Sequence, residues 1–303
     1  MLIFSSFTFF ARTTAAALVK CGAQVIYACR NLEKAKKAVD EATSAAASSS
    51  TTSNIRQPIC MKLDLSSLKS IKSFVSNFNK QNSKIPPLNM LVLNAGLVSP
   101  TGSNHKTEEG IEITFGVNHL GHYYLTELLL DHLRTNSPSR VIVVASDSHF
   151  KGLIVRDSIG LKDPNVIINK IANGHNEPMM RKYGSSKLAN ILYSKWLNEN
   201  EKKNGVVSCS LHPGSMISTD IGTRNGILQA FVLKYIIGWF TKNPDQGAST
   251  TIHCCLMCHD DIDGQYFDNC KIKQSSQLTR GTNGKDAGIA LNIASQRLIQ
   301  SSL

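Results

Sequence analysis

Six short, largely apolar runs punctuate the chain at Gln24–Cys29, Pro58–Leu63, Leu88–Leu93, Arg140–Ala145, Val206–Leu211 and Gly264–Phe267. A run of that length without polar alternation suits a strand covered on both faces. Helical patterns fill the gaps. Arg12 to Cys21 reads as a helix stopped by Gly22, and Asn31 can cap the next one, through Glu33 and Lys37 toward Glu41. Ser66 or Ser67 can cap a third, whose apolar stripe is Leu68, Ile71, Phe74, Val75 and Phe78. A long amphipathic helix is predicted over Ile111 to Leu133, and another from Tyr183 to about Asn200. Thr43 to Asn54 is almost wholly Ser, Thr and Ala and reads as a mobile loop. Strands alternating with helices predict an α/β fold with a doubly wound parallel sheet of about seven strands and helices on both faces. The 303 residues suit a single domain, 1–303, with Met1-Leu2-Ile3 as a shortened first strand.

The formal net charge of +11 raises the question of nucleic acid, but Lys and Arg are scattered and do not interleave with aromatics, so that class of partner is set aside. The eight cysteines sit mostly inside apolar runs, which predicts buried thiols in a reducing compartment. His253, Cys254, Cys255, Cys258 and His259 lack a second ligand pair at zinc spacing and read as core rather than metal site. The apolar opening has no basic flank and is too short to span a bilayer. The expected location is the cytoplasm or the cytosolic face of a membrane, not outside the cell. Peripheral membrane contact and self-association stay open.

Chemistry concentrates at Tyr183-Gly184-Ser185-Ser186-Lys187. On a helix the phenol and the ammonium share one face. A cation ~4 Å away, at an effective dielectric of about 20, would favour the phenolate by roughly three pKa units before desolvation opposes it. The Tyr would then be a usable general acid or base. Asp64, Asn94, Ser146 and Gly214 all follow predicted strands, where open parallel sheets bind ligands.

Five motifs fall in order along the chain: Asn94-Ala95-Gly96, Val117-Asn118-His119-Leu120-Gly121-His122, Ser146, Tyr183-x-x-x-Lys187 and His212-Pro213-Gly214. Together they resemble the short-chain dehydrogenase/reductase family, over nearly the whole chain. Within it, Thr114–Gly121, His212–Ile221, Asp245–Thr251 and Gln265–Cys270 are most similar to the retinol dehydrogenase-like group. The resemblance implies a Rossmann-like fold and a hydride exchange between a nicotinamide cofactor and an alcohol or carbonyl. It implies that Tyr183 exchanges the proton and that Lys187 lowers its pKa and bonds the nicotinamide ribose. Ser146 would polarise the substrate oxygen, and Asn118 would anchor a water on the proton path. The cofactor would be met by Asp64, Asn94, Ala95, Gly96, Tyr183, Lys187, Pro213, Gly214 and Thr219. At the end of the second strand, Arg30 stands where NAD enzymes commonly place an acid, which favours NADP over NAD.

The family's glycine-rich phosphate turn is replaced. Counting back from Gly22 puts Ser5, Phe9 and Ala11 at the three glycine positions. Losing two or three charge-assisted backbone bonds would remove on the order of 5 kcal/mol, more than a thousandfold in cofactor affinity. Two functions are therefore expected. The first is an NADP-preferring oxidoreductase for a lipophilic alcohol or carbonyl, retinoid- or steroid-like, suggested by the apolar stretch Ile227–Phe240. The alternative is a catalytically weak interaction protein that keeps the fold.

Overall fold

The computed structural model describes residues 2–4, 9–47, 56–81, 86–102, 104–152, 162–172, 174–214 and 244–303. The described strands form one eight-stranded sheet in the order β3-β2-β1-β4-β5-β6-β7-β8. These are β1 (Leu2–Phe4), β2 (Val25–Cys29), β3 (Ile59–Lys62), β4 (Met90–Leu93), β5 (Ser139–Val144), β6 (Val206–His212), β7 (Tyr266–Asp268) and β8 (Lys271–Ile272). Every pair is parallel except β7 with β8, a two-residue antiparallel edge strand that adds to the seven expected. Short as it is, β1 sits at the centre, with Ile3 opposite Ile26 of β2 and Leu91 of β4.

Because side chains alternate along a strand, each apolar run feeds two cores. Leu91, Leu93, Val141 and Val143 face one cluster. That cluster also takes α3 (Leu68–Gln81), α5 (Gly121–Thr135), α7 (Met179–Glu201) and α9 (Gly281–Gln300). Val92, Ile142 and Val144 face the other, with α1 (Phe9–Lys20), α2 (Leu32–Ala47) and α8 (Pro244–Leu256). Helices thus cover both faces. Cys209, Cys254 and Cys255 belong to this second core, whereas Cys21 and Cys258 are exposed; all eight thiols are free. Among the described residues no group of three or more His, Cys, Asp or Glu is placed to hold a metal, and no helix is long and apolar enough to cross a membrane.

Two local expectations change and one open alternative is settled. The helix predicted at Ile111–Leu133 begins as a single turn, α4 (Ile113–Phe115), widens into a π-turn over Gly116–Leu120, and continues as α5. Helix α2 runs on to Ala47, because the alanines among Thr43–Ala47 sustain the helix that the low-complexity reading made a loop. Ser67 rather than Ser66 caps α3: its Oγ accepts the Ser70 N–H at 3.2 Å, while Ser66 is bound to Asp64. The segment 215–243, including Ile227–Phe240 and Thr219, lies outside the described residues.

Helix α7 carries Tyr183 and packs on the 3-10 turn Asp147–Lys151 that follows β5. Their backbones touch. A Cβ at Gly184 would lie 2.5 Å from Ser148 O and 2.9 Å from Gly152 N, and one at Gly152 would lie 2.3 Å from Gly184 O. Both obstacles are backbone, so neither can swing aside. Gly184→Ala is expected to destabilise the fold by about 1–3 kcal/mol, as overpacking does. Urea denaturation beside the exposed Ile289→Ala control measures this, and equal midpoints would refute the close contact.

Candidate active site

Strand β5 ends at Val144, and two residues later Ser146 is extended (φ −163°, ψ 155°) and 7% exposed. Its Oγ accepts the Ser148 N–H at 3.2 Å, which caps the 3-10 turn. The Ser146 side chain also acts on Tyr183 across the Gly152–Gly184 contact, in the direction that lowers the phenol pKa. One helical turn further on, the Lys187 ammonium lies 5.6 Å from the centre of the Tyr183 ring and donates to Val144 O at 2.9 Å. Asn118, fully buried in the π-turn, accepts the Leu97 N–H at 2.8 Å and donates to Leu97 O at 2.9 Å and to Ser186 Oγ at 3.0 Å. Asn118, Ser146, Tyr183 and Lys187, far apart in the chain, are thus brought to one crevice.

Electrostatics differ from the sequence expectation. Burial pushes the Tyr183 phenol up to about 12; the Ser146 hydrogen bond opposes this and the Asp147 charge adds to it. Burial likewise brings Lys187 down to about 8. The expected lowering of the phenol by Lys187 is therefore overturned for the protein in this form. The ammonium stands over the ring face and spends a donor on Val144 O, and desolvation disfavours the charged form of both groups. Around this centre lie partners that motif matching quoted without assigning. His122 Nδ1–H donates to Asn118 O at 3.1 Å, and burial drops that imidazole to about 3. His212 Nδ1 accepts the Asp147 N–H at 3.3 Å, which ties the end of β6 to the turn after Ser146. The second contact is not readable from local sequence, because it joins residues 65 apart through the fold.

The residues expected to meet a cofactor follow neighbouring strands. Arg30 is exposed just after β2. Asp64, after β3, holds its own turn: Oδ1 accepts from Ser66 N–H at 2.9 Å and from Ser66 Oγ at 2.6 Å. Asn94, Ala95 and Gly96 follow β4 and are half-buried. A Cβ at Gly96 would come 3.3 Å from Lys187 Nζ, so the missing side chain lets this turn close on the ammonium. Pro213 and Gly214 follow β6, with Gly214 at φ 125°, which only glycine adopts readily. Thr219 and Ser5 lie outside the described residues, and Phe9 and Ala11 open α1. A cavity of about 350 Å³ between α7 and α9, lined by Lys195, Trp196 and Thr279, starts 12 residues beyond Tyr183 on α7 and is separate from this crevice.

Residues 2–157 match the family profile described as short chain dehydrogenase. The WW domain-containing oxidoreductase of Gallus gallus is 36% identical over 291 residues, 96% of this chain. Retinol dehydrogenase 12 of Mus musculus is 35% identical over 289 residues, 95% of this chain and 82% of its own length. Salutaridine reductase from Papaver somniferum shares the fold, with a TM-score of 0.65 at 18% identity, covering 88% of this chain and 98% of that one. The chain belongs to the short-chain dehydrogenase family. It spans 65% of the length of the WW domain-containing oxidoreductase it matches.

The buried lysine sets a pH signature. With its folded pKa near 8 against an ordinary value of 10.5, the unfolded chain binds the extra proton between those values, so stability rises with pH across that window. The gain is about 3 kcal/mol for a group this buried. Urea denaturation at pH 7.5 and 10 is expected to show the rise in the parent chain and to lose it in Lys187→Met. An equal rise in both would place the titration elsewhere.

Proposed function

We propose that the whole chain, 1–303, is one NADP(H)-dependent dehydrogenase domain that interconverts a lipophilic alcohol and its carbonyl. The observation that carries this is the gathering of Ser146, Tyr183 and Lys187 at the carboxyl end of β5, where Lys187 lies under the Tyr183 ring and donates to Val144 O. Tyr183 and Ser146 present two hydroxyls to one point, where a carbonyl oxygen would rest. When bound, the nicotinamide supplies or accepts the hydride at carbon. As charge gathers on the substrate oxygen, Ser146 donates a hydrogen bond and Tyr183 passes its proton; in the opposite direction Tyr183 takes the alcohol proton. Preplaced donors of this kind act where charge appears in the transition state. Lys187 supports the exchange from below the ring, and Asn118 holds Leu97 and Ser186 in place around it.

The strand-end residues fit a dinucleotide. Arg30, exposed after β2, offers a guanidinium to a 2′-phosphate, which is the ground for NADP over NAD. Asn94, Ala95, Gly96, Pro213 and Gly214 leave little side chain in the way, with Asp64 beside them on the adenine side. Thr219 completes the set in the segment after β6. The apolar character of Ile227–Phe240 and the name of retinol dehydrogenase 12 support a lipophilic substrate. Tyr183→Phe is expected to lower kcat by about 10²- to 10⁴-fold. NADPH affinity, followed by tryptophan fluorescence, should fall far less than kcat, by no more than the one hydrogen bond the phenol would give the cofactor. Absence of NADPH oxidation with retinal, steroid ketones and simple aldehydes in the parent chain would refute the reading.

One observation favours the second reading, a weakly catalytic protein that keeps the fold: Phe9 and Ala11 occupy the first turn of α1 where the family has glycine. The combined Ser5→Gly, Phe9→Gly and Ala11→Gly chain is expected to bind NADPH on the order of a thousandfold more tightly, the equivalent of two or three recovered backbone bonds to phosphate. Micromolar binding by the parent chain in the same titration would remove this second reading.

A further inference from the structure

Helix α7 starts without a cap of its own. Pro178 at the N-cap position makes no side-chain cap, and the first-turn N–H of Met179 donates instead to Thr101 Oγ at 3.0 Å. One turn in, Lys182 is buried with 3% of its side chain exposed. Its ammonium donates to Pro100 O at 3.1 Å and stands 3.7 Å from Glu112 Oε1. Glu112 is as deeply buried. Its Oε2 accepts the Phe115 N–H at 2.9 Å and so caps α4, while Oε1 has no hydrogen-bond donor. Beside it, against Phe115, Ile171 and Ser185, lies a space of about 40 Å³, enough for a water.

Two opposite charges taken out of water, with one oxygen left short of a donor, are a poor way to stabilise a fold. Apolar residues of similar size commonly do as well. What the pair does achieve is geometric. The loop that follows Asn94-Ala95-Gly96 is held at its start by Asn118, which bonds both Leu97 N and Leu97 O. It is held at its far end by α7, through Pro100 and Thr101. Lys182 and Ser186 are four residues apart on α7 and contact this loop and Asn118. Tyr183 and Lys187 repeat the spacing on the neighbouring face. We propose that Lys182 and Glu112 are positioning residues that lock the turn after β4 to the helical turn bearing Tyr183, so that the cofactor side and the phenol keep one geometry. The inference rests on the reading of Tyr183 as proton donor.

The test uses the full chain carrying Lys182→Met with Glu112→Gln, which removes both charges while the glutamine keeps an acceptor for Phe115 N–H. Amide hydrogen exchange is expected to quicken in residues 97–102 and 179–187 and to stay unchanged in Gly281–Gln300, at an unaltered unfolding midpoint. With a carbonyl that the parent chain reduces, kcat is expected to fall about tenfold or more, since small misplacements of a reacting group are costly. KM and NADPH affinity should hold. Lys182→Arg, which keeps a cation and a donor for Pro100 O, is expected to retain parental exchange and kcat. Parental exchange in both segments, or parental kcat in the double variant, would overturn the positioning role. So would an arginine variant as impaired as the double variant. If the parent chain reduces no carbonyl, the proposed function fails, and the exchange measurement decides the positioning role by itself. Should the double variant not fold, exchange in Lys182→Gln decides in its place: quickening confined to 97–102 and 179–187 supports the role, and parental rates overturn it.

Discussion

The contact on which the rest depends is backbone against backbone, Gly152 on Gly184. It brings α7 close enough to the end of β5 for the Tyr183 phenol to reach Ser146. The same approach lets Lys187 and Asn190 both donate to Val144 O, at 2.9 and 3.3 Å. A strand terminus and a helix are thereby joined by three side chains and one close backbone approach. Asn190 carries the arrangement outward, since it also meets His119 at 3.4 Å, and His119 meets Ser295 of α9 at 3.1 Å. The last helix of the chain is in this way tied to the carbonyl that holds Lys187.

Burial dominates the chemistry of that joint. A phenol held protonated up to about 12 is a donor throughout the neutral range, and an ammonium brought to about 8 is within reach of losing its charge near neutrality. The dry environment that disfavours these charges also strengthens any hydrogen bond aimed at a developing one. A protonated phenol in a desolvated crevice therefore suits stabilisation of a transient alkoxide.

How much of this was legible in the chain depends on whether the determinant is local. The buried strands, the caps at Asn31 and Ser67 and the stripe on α3 follow from period and side-chain type within a few residues, and the structure repeats them. The site motifs were legible as positions after strands, because a parallel sheet sends all its carboxyl ends to one edge. Gly184, between Tyr183 and Lys187, shows no local sign of its reason, which is a neighbour more than thirty residues away. The Glu112–Lys182 pair and the Asp147–His212 bond were illegible for the same reason. The lowered phenol pKa failed for a different one: the sequence names desolvation as the opposing effect but does not give its size, and the acceptor at Val144 O comes only from the fold.

The two halves of the crevice are built from separate parts of the chain. Proton geometry is set by β5, the turn after it and α7, whose contacts are dense and specific. On the proposed reading, phosphate affinity would be set between β1 and the first turn of α1, where the sequence lacks the family's glycines although β1 keeps its central place between β2 and β4. On the same reading, damage to the second half would lower occupancy without disturbing the first, because among the described residues no hydrogen bond of Tyr183, Lys187 or Ser146 reaches α1. The halves meet at the turn after β4, where Gly96 faces Lys187 Nζ and Leu97 is clasped by Asn118. A cofactor held there, even weakly, would meet a proton donor already in position, so catalysis in this fold can be limited by filling of the site rather than by its geometry.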